Sequence, residues 1–173
     1  MRDIMASLPQ LGMEARGLIL LDTCFFIDII KRHKRHALLE FCETHHVAMT
    51  SFNVEELNYI RHKFNTHMIE HITQFIKAKP NLSILEVDVH PGNRAEEKQF
   101  VNETDPFLLA DCADPSDAVL LACAILTKSS ILTKDKHHLF TVRLENYLRR
   151  YGIGVYKDFH SVTSPSWDIH SEP

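Results

Sequence analysis

At 173 residues, with 45% hydrophobic and 24% charged content, the chain has the size and composition of one globular domain that needs neither disulfides nor a structural metal to bury its core. A formal charge of -4 excludes the broad basic footprint of a simple DNA-binding module, so any nucleic-acid function must rest on a local patch or on bound cations. Cys24, Cys42, Cys112 and Cys123 stand far apart without a Cys-x-x-Cys pair, and no apolar signal core precedes them, which predicts reduced thiols and a cytoplasmic protein.

Residues 1–16 carry Asp3, Pro9 and Glu14 and read as a poorly ordered N-terminal arm; residues 163–173, with Pro165, Pro173 and several serines, read as a C-terminal tail. Residues 17–162 form the predicted domain. Leu18 to Leu21 is an apolar run without polar alternation, which predicts a strand buried on both faces, and it drives straight into Asp22. That carboxylate either caps the helix that follows or stands where open parallel sheets hold their ligands, at the carboxyl end of a strand.

Phe25, Phe26, Ile29 and Ile30 recur at helical spacing, and the helix they predict ends in the basic run from Lys31 to His36. A second helix is predicted over Ala37–Thr44, a short buried strand over Val47–Thr50, and a helix opened by a capping box at Asn53-Val-Glu-Glu56. Phe64, Met68, Ile72, Phe75 and Ile76 share one face of a helix running from Phe64 to Lys79. Ser83–Val89 alternates as an edge strand with one covered face would, and Ala95–Leu109 reads as a helix giving way to a connection at Pro106.

Asp114 is a good N-cap, Pro115 suits the first helical position and Asp117 the third, after which an almost wholly apolar helix runs to Leu126. Ser130–Thr133 is a strand, Lys134-Asp135-Lys136 follows at once, and a helix over about His138–Arg150 leads to a last strand at Ile153–Tyr156. This alternation predicts an α/β protein, a three-layer α/β/α fold with a mostly parallel central sheet.

Asp22, Glu56, Asp117 and Asp135 each stand at a strand's carboxyl end or in the first turn of a helix, and a parallel sheet gathers those ends along one edge. Singly, each is explained as a cap or as the reciprocal acid of a capping box. Jointly they repel one another unless a cation neutralises them. Carboxylates without His or Cys suit Mg²⁺ or Mn²⁺, which polarise a phosphodiester and lower the pKa of a bound water.

The segments Leu-Leu-Asp22-Thr-Cys-Phe-Phe-Ile-Asp, Thr-Ser-Phe-Asn-Val-Glu-Glu56-Leu, Ser-Asp117-Ala-Val-Leu-Leu-Ala-Cys-Ala and Ile-Leu-Thr-Lys-Asp135 resemble, in order and spacing, the four acidic motifs of the PIN-domain nucleases. The resemblance spans about Leu18 to Tyr156. It implies a PIN-like fold and a Mg²⁺- or Mn²⁺-dependent endoribonuclease related to the VapC-type toxins, which often form homodimers and are silenced by an antitoxin. It places metal ligands at Asp22, Glu56, Asp117 and Asp135, with Thr23 and Thr133 as supporting hydroxyls. Asp114, one turn before Asp117, either joins the site or serves only as the N-cap. The alternative reading is a PIN-like module that binds RNA or a protein without cutting.

By position, Lys134 and Lys136 are candidate phosphate contacts for an RNA substrate, ahead of the basic run at Lys31 to His36. His67 and His71 have the i, i+4 spacing of two metal ligands, but no Glu follows His67 and no third ligand is in view, so the pair reads as solvent-facing.

Overall fold

The computed structural model describes residues 5–78, 80–112, 114–134 and 142–163. Its centre is a six-stranded sheet: β1 (Gln10–Leu11), β2 (Ile19–Leu21), β3 (Val47–Thr50), β4 (Leu82–Leu85), β5 (Ser130–Leu132) and β6 (Val155–Tyr156). The spatial order is β1-β4-β3-β2-β5-β6, and every pairing is parallel. After β2 the chain moves outward to β3 and β4, then crosses back to place β5 on the other side of β2. The topological switch point of the sheet therefore lies beside β2, the strand that ends at Asp22.

Side chains along β2 alternate between two cores. Ile19 and Leu21 face a layer built from α1 (Thr23–Lys31), α2 (Arg35–Thr44) and α4 (Thr66–Lys77), through Phe25, Phe26, Leu38, Ile72 and Phe75. Leu18 and Leu20 face a layer of α5 (Arg94–Thr104), α6 (Leu108–Asp111), α7 (Pro115–Thr127) and α8 (Val142–Arg149), through Val101, Leu108, Val119, Leu144 and Leu148. With β2 buried on both faces, each fully covered Leu contributes about 2 kcal/mol of transfer free energy, which is why the run tolerates no polar alternation. The expected three-layer α/β/α fold is the fold observed.

Several local expectations are corrected. The stretch from residue 5 to residue 16 supplies β1, and its Met5 and Leu8 are buried in the first core. Gln10 and Leu11 pair with Ile84 and Leu85, so β4 is an inner strand and not the sheet edge that its alternation suggested. Gly17, at a φ of 67°, makes the left-handed turn that sends this segment into β2. The helix expected from Asn53 begins earlier, as α3 (Ser51–Tyr59), because the Thr50 hydroxyl accepts the Asn53 backbone N–H and caps it. A 3-10 turn at Ile60–Lys63 follows α3, and α9 (Phe159–Thr163) closes the described chain. None of the four cysteines is in a disulfide, and three of the residues are buried.

Candidate active site

Asp22 stands at the N-cap position of α1, but its side chain makes no capping hydrogen bond. Its Oδ2 accepts instead from Thr133 Oγ1 at 2.5 Å and from Cys24 Sγ at 2.7 Å. Thr133 follows β5 and is fully buried, so the neighbouring strand aims the carboxylate. The Lys134 backbone N–H donates to Cys24 Sγ at 3.2 Å and completes the cradle.

Glu56 reaches the same edge from α3. Its Oε2 accepts from Thr23 Oγ1 at 2.9 Å and from Asn53 Nδ2 at 3.0 Å, while Asn53 Nδ2 also lies 3.1 Å from Thr23 Oγ1. Capping by Thr50 leaves the Asn53 amide to orient Glu56, one helical turn away on the same face. Burial pushes the Glu56 carboxyl up to about 7; the Thr23 and Asn53 hydrogen bonds pull against it, and the negative charges of Asp22 and Asp117 add to the rise. Three carboxylates from three separate stretches of chain thus share one field.

Asp117 lies in the first turn of α7, the helix that Asp114 caps by accepting the Ser116 backbone N–H at 3.1 Å, with Pro115 at the first position. Arg94 Nη1 donates to Asp114 at 2.5 Å and to Ser116 Oγ at 3.0 Å. The Asp114 carboxylate therefore holds the N-terminus of α7 and an arginine. The Lys134 ammonium donates to the Lys157 carbonyl and sits 5.4 Å over the Phe25 ring. Asp135 and Lys136 lie outside the described residues.

Sequence reasoning passed over two residues that contact the acids. Asn53 was read only as a cap, although its i, i+3 spacing to Glu56 on one helix was the available signal. Cys24 was read only as a reduced thiol. Its pKa is pushed up to about 12, by burial first and by the Asp22 charge second, so it stays a thiol that donates to Asp22 and not a thiolate that would bind metal.

A PIN-domain family model matches residues 19–142, from the first residue of β2 to the start of α8. The chain belongs to the PIN-domain family. As a family, PIN domains are nucleases that use divalent metal ions. Among solved structures, the PIN chain is similar to one in the crystal structure of VapBC2 from Rickettsia felis bound to a DNA fragment from their promoter, with a TM-score of 0.52 and 14% sequence identity. That match covers 80% of this chain and 97% of the other, and at such identity it is a likeness of fold. No curated protein matches the sequence. No described helix is long and apolar enough to cross a membrane.

Among the described residues, no three His, Cys, Asp or Glu side chains are so placed that they could hold a metal ion. The chemistry of the PIN site nonetheless fits a hard divalent cation. Its donors are carboxylates and hydroxyls, its one nearby sulfur stays protonated, and Glu56 carries a mutual repulsion that a cation would relieve.

Proposed function

We propose that this PIN domain is a Mg²⁺- or Mn²⁺-dependent endoribonuclease of the toxin type, cytoplasmic, homodimeric and held in check by an antitoxin protein. The observation that carries the reading is that two acids from motifs far apart in the chain are fixed at the switch point of the sheet: Thr133 and Cys24 hold Asp22, and Asn53 and Thr23, the residue after Asp22, hold Glu56. Asp22, Asp117 and Asp135 are the proposed metal ligands, with Glu56 as ligand or water-positioning acid.

A bound divalent ion would supply Lewis acidity toward the phosphodiester and a more acidic water. The chain's own residues do the rest. Thr133 and Cys24 hold Asp22 in one orientation, and Thr23 and Asn53 do the same for Glu56. A carboxyl that titrates near neutrality is matched to accepting a proton from an attacking water at Glu56 Oε. Lys134, which follows β5 at the same edge, and Lys136, two residues further along the sequence, are the proposed contacts to RNA phosphates.

The likeness to VapBC2 supports a partner protein in the same assembly. The reading is tested by incubating untagged protein with RNA and DNA oligonucleotides in Mg²⁺, Mn²⁺ or EDTA. Metal-dependent internal cleavage of RNA that Asp117→Asn abolishes is the expected result. Cleavage that persists in EDTA or in that variant overturns it. RNA binding without cleavage in any metal leaves a binding module. For the partner, co-expression with the neighbouring open reading frame is expected to yield an inactive complex.

A further inference from the structure

The fold brings His33 to the pair His67 and His71. The ring centres lie 4.5 Å apart for His67–His71, 5.0 Å for His33–His71 and 6.2 Å for His33–His67. Three imidazoles on one tetrahedral ion, with metal–nitrogen bonds of about 2.0–2.1 Å, hold their ring centres roughly 5 Å apart. The three rings line one pocket of about 390 Å³ between the end of α1 and the start of α4. His71 Nε2 is buried there without a hydrogen-bond partner, a condition that costs free energy unless something else satisfies the nitrogen.

The backbone at His33 is a second, independent observation. The Lys34 N–H donates to the Ile29 carbonyl at 3.0 Å and the His33 N–H to the Ile30 carbonyl at 3.1 Å, which is the paired-bond C-terminal cap of α1. In that motif the residue after the C-cap takes the left-handed conformation, and glycine is preferred there. Here it is His33, at a φ of 56°. A β-carbon in this conformation costs about 1 kcal/mol or more, so the histidine is kept against the preference of its backbone.

We propose that His33, His67 and His71 form a transition-metal site for Zn²⁺ or a similar borderline ion, fastening the C-terminal end of α1 to α4. In their present orientations the three side chains are not a group that could hold a metal ion. Binding therefore requires the rings to turn about χ2, which leaves the ring centres nearly in place, until their nitrogens face one ion. Lys31 and Lys63 also line the pocket and oppose any cation held by charge alone, so the site selects an ion that makes strong bonds to nitrogen over Mg²⁺ or Ca²⁺. Three protein ligands leave a fourth position for water or an anion, which the two lysines favour.

The test uses the untagged full chain carrying Asp117→Asn, which removes the acidic site as a competing binder. Zn²⁺ is titrated by calorimetry and by thermal melting, and Co²⁺ by visible absorption, in the parent and in His33→Gly and His71→Gln versions. Expected are one equivalent of metal, a rise in Tm and tetrahedral Co²⁺ bands, with affinity at least tenfold weaker in both variants. Glycine suits the backbone at position 33, so the His33→Gly protein is expected to melt without metal at or above the parent temperature, separating ligation from folding. Zinc bound equally tightly by His33→Gly, or no zinc response in the parent, overturns the proposal.

Discussion

Thr133 donates its hydroxyl to Asp22 Oδ2 at 2.5 Å, joining the ends of β5 and β2 across 111 positions of chain. Thr133→Val keeps the shape of this buried side chain and removes the donor, leaving Asp22 with the weaker Cys24 S–H among these two partners. A hydrogen bond to a charged group is worth about 1.5–3 kcal/mol, so RNA cleavage is expected to fall about ten- to a hundredfold with an unchanged circular dichroism spectrum. Single-turnover rates decide this, and a parental rate would show that Thr133 does not orient the carboxylate.

Asp22→Asn and Asp117→Asn are each expected to abolish metal-dependent cleavage while the protein still folds. The amide keeps the size of the carboxylate and an oxygen that can accept from Thr133, but it lacks the charge a hard cation requires. Cleavage assays run beside thermal melts separate the two effects. A variant that both folds and cleaves normally removes that residue from the site.

Glu56 gives a pH signature with a definite sign. Its folded-state pKa, about 7, lies above the ordinary value of 4.5, so between those values the folded state binds more protons than the unfolded state. The stability it contributes is fully present below about 4.5 and lost as pH rises through about 7. Glu56→Gln, which keeps an oxygen for Thr23 and Asn53, is therefore expected to be more stable than the parent at pH 8 in EDTA, by on the order of 3 kcal/mol, and equal to it near pH 4. The same variant is expected to lose cleavage. Urea denaturation at both pH values measures the difference, and a variant less stable at pH 8 counts against the buried, repelled carboxylate.

The sheet and its switch point were legible because β2, β3, β5 and α7 are continuous apolar runs, which only burial on both faces explains. Asp22 stood out as a candidate because a charge at the end of such a run needs an explanation, and Glu56 and Asp117 because they are acids near the starts of helices. β1 was not legible, since two residues beside Pro9 carry no periodicity and become a strand only when β4 offers its edge. The place of His33 was hidden as well. A C-terminal cap of this kind announces itself by glycine, and the arrival of that residue beside His71 depends on the packing of α1 against α4. The roles of Asn53 and Cys24 depend on side-chain aim, which spacing constrains only loosely.

A divalent ion bound by the acids must compete with the proton on Glu56. At pH 8, Mn²⁺ at a hundred times its dissociation constant is expected to stabilise the fold by about 2.7 kcal/mol, with less effect at pH 5.5, where the carboxyl is protonated. The response is expected to vanish in Asp117→Asn and to persist in His33→Gly, which keeps the acids intact. Melting curves across a Mn²⁺ series read it directly, and a shift of equal size at both pH values would mean that the ion binds elsewhere.

Glu97 is fully buried, yet its carboxylate accepts from the Gly92 backbone N–H at 2.8 Å, from Arg94 Nη1 at 3.1 Å and from Ser116 Oγ at 3.2 Å. The Arg94 side chain is 55% exposed, so solvent screens part of its attraction; what it mainly supplies is a charge-assisted partner that keeps Glu97 from being buried without a counter-charge. Arg94→Ala is expected to cost about 2 kcal/mol, below the 3–5 typical of breaking a fully buried pair. Glu97→Gln is expected to cost less, because its amide oxygen still accepts from the Gly92 N–H while its NH2 donates to Ser116 Oγ, a hydroxyl that can turn to accept. In the double variant no charge is stranded, so it is expected to be more stable than Arg94→Ala alone, and a double-mutant cycle by urea denaturation measures that coupling. Ser116 precedes Asp117 on α7, so Arg94→Ala is also expected to slow cleavage, and recovery of rate in the double variant would mark repulsion around Glu97 as the cause.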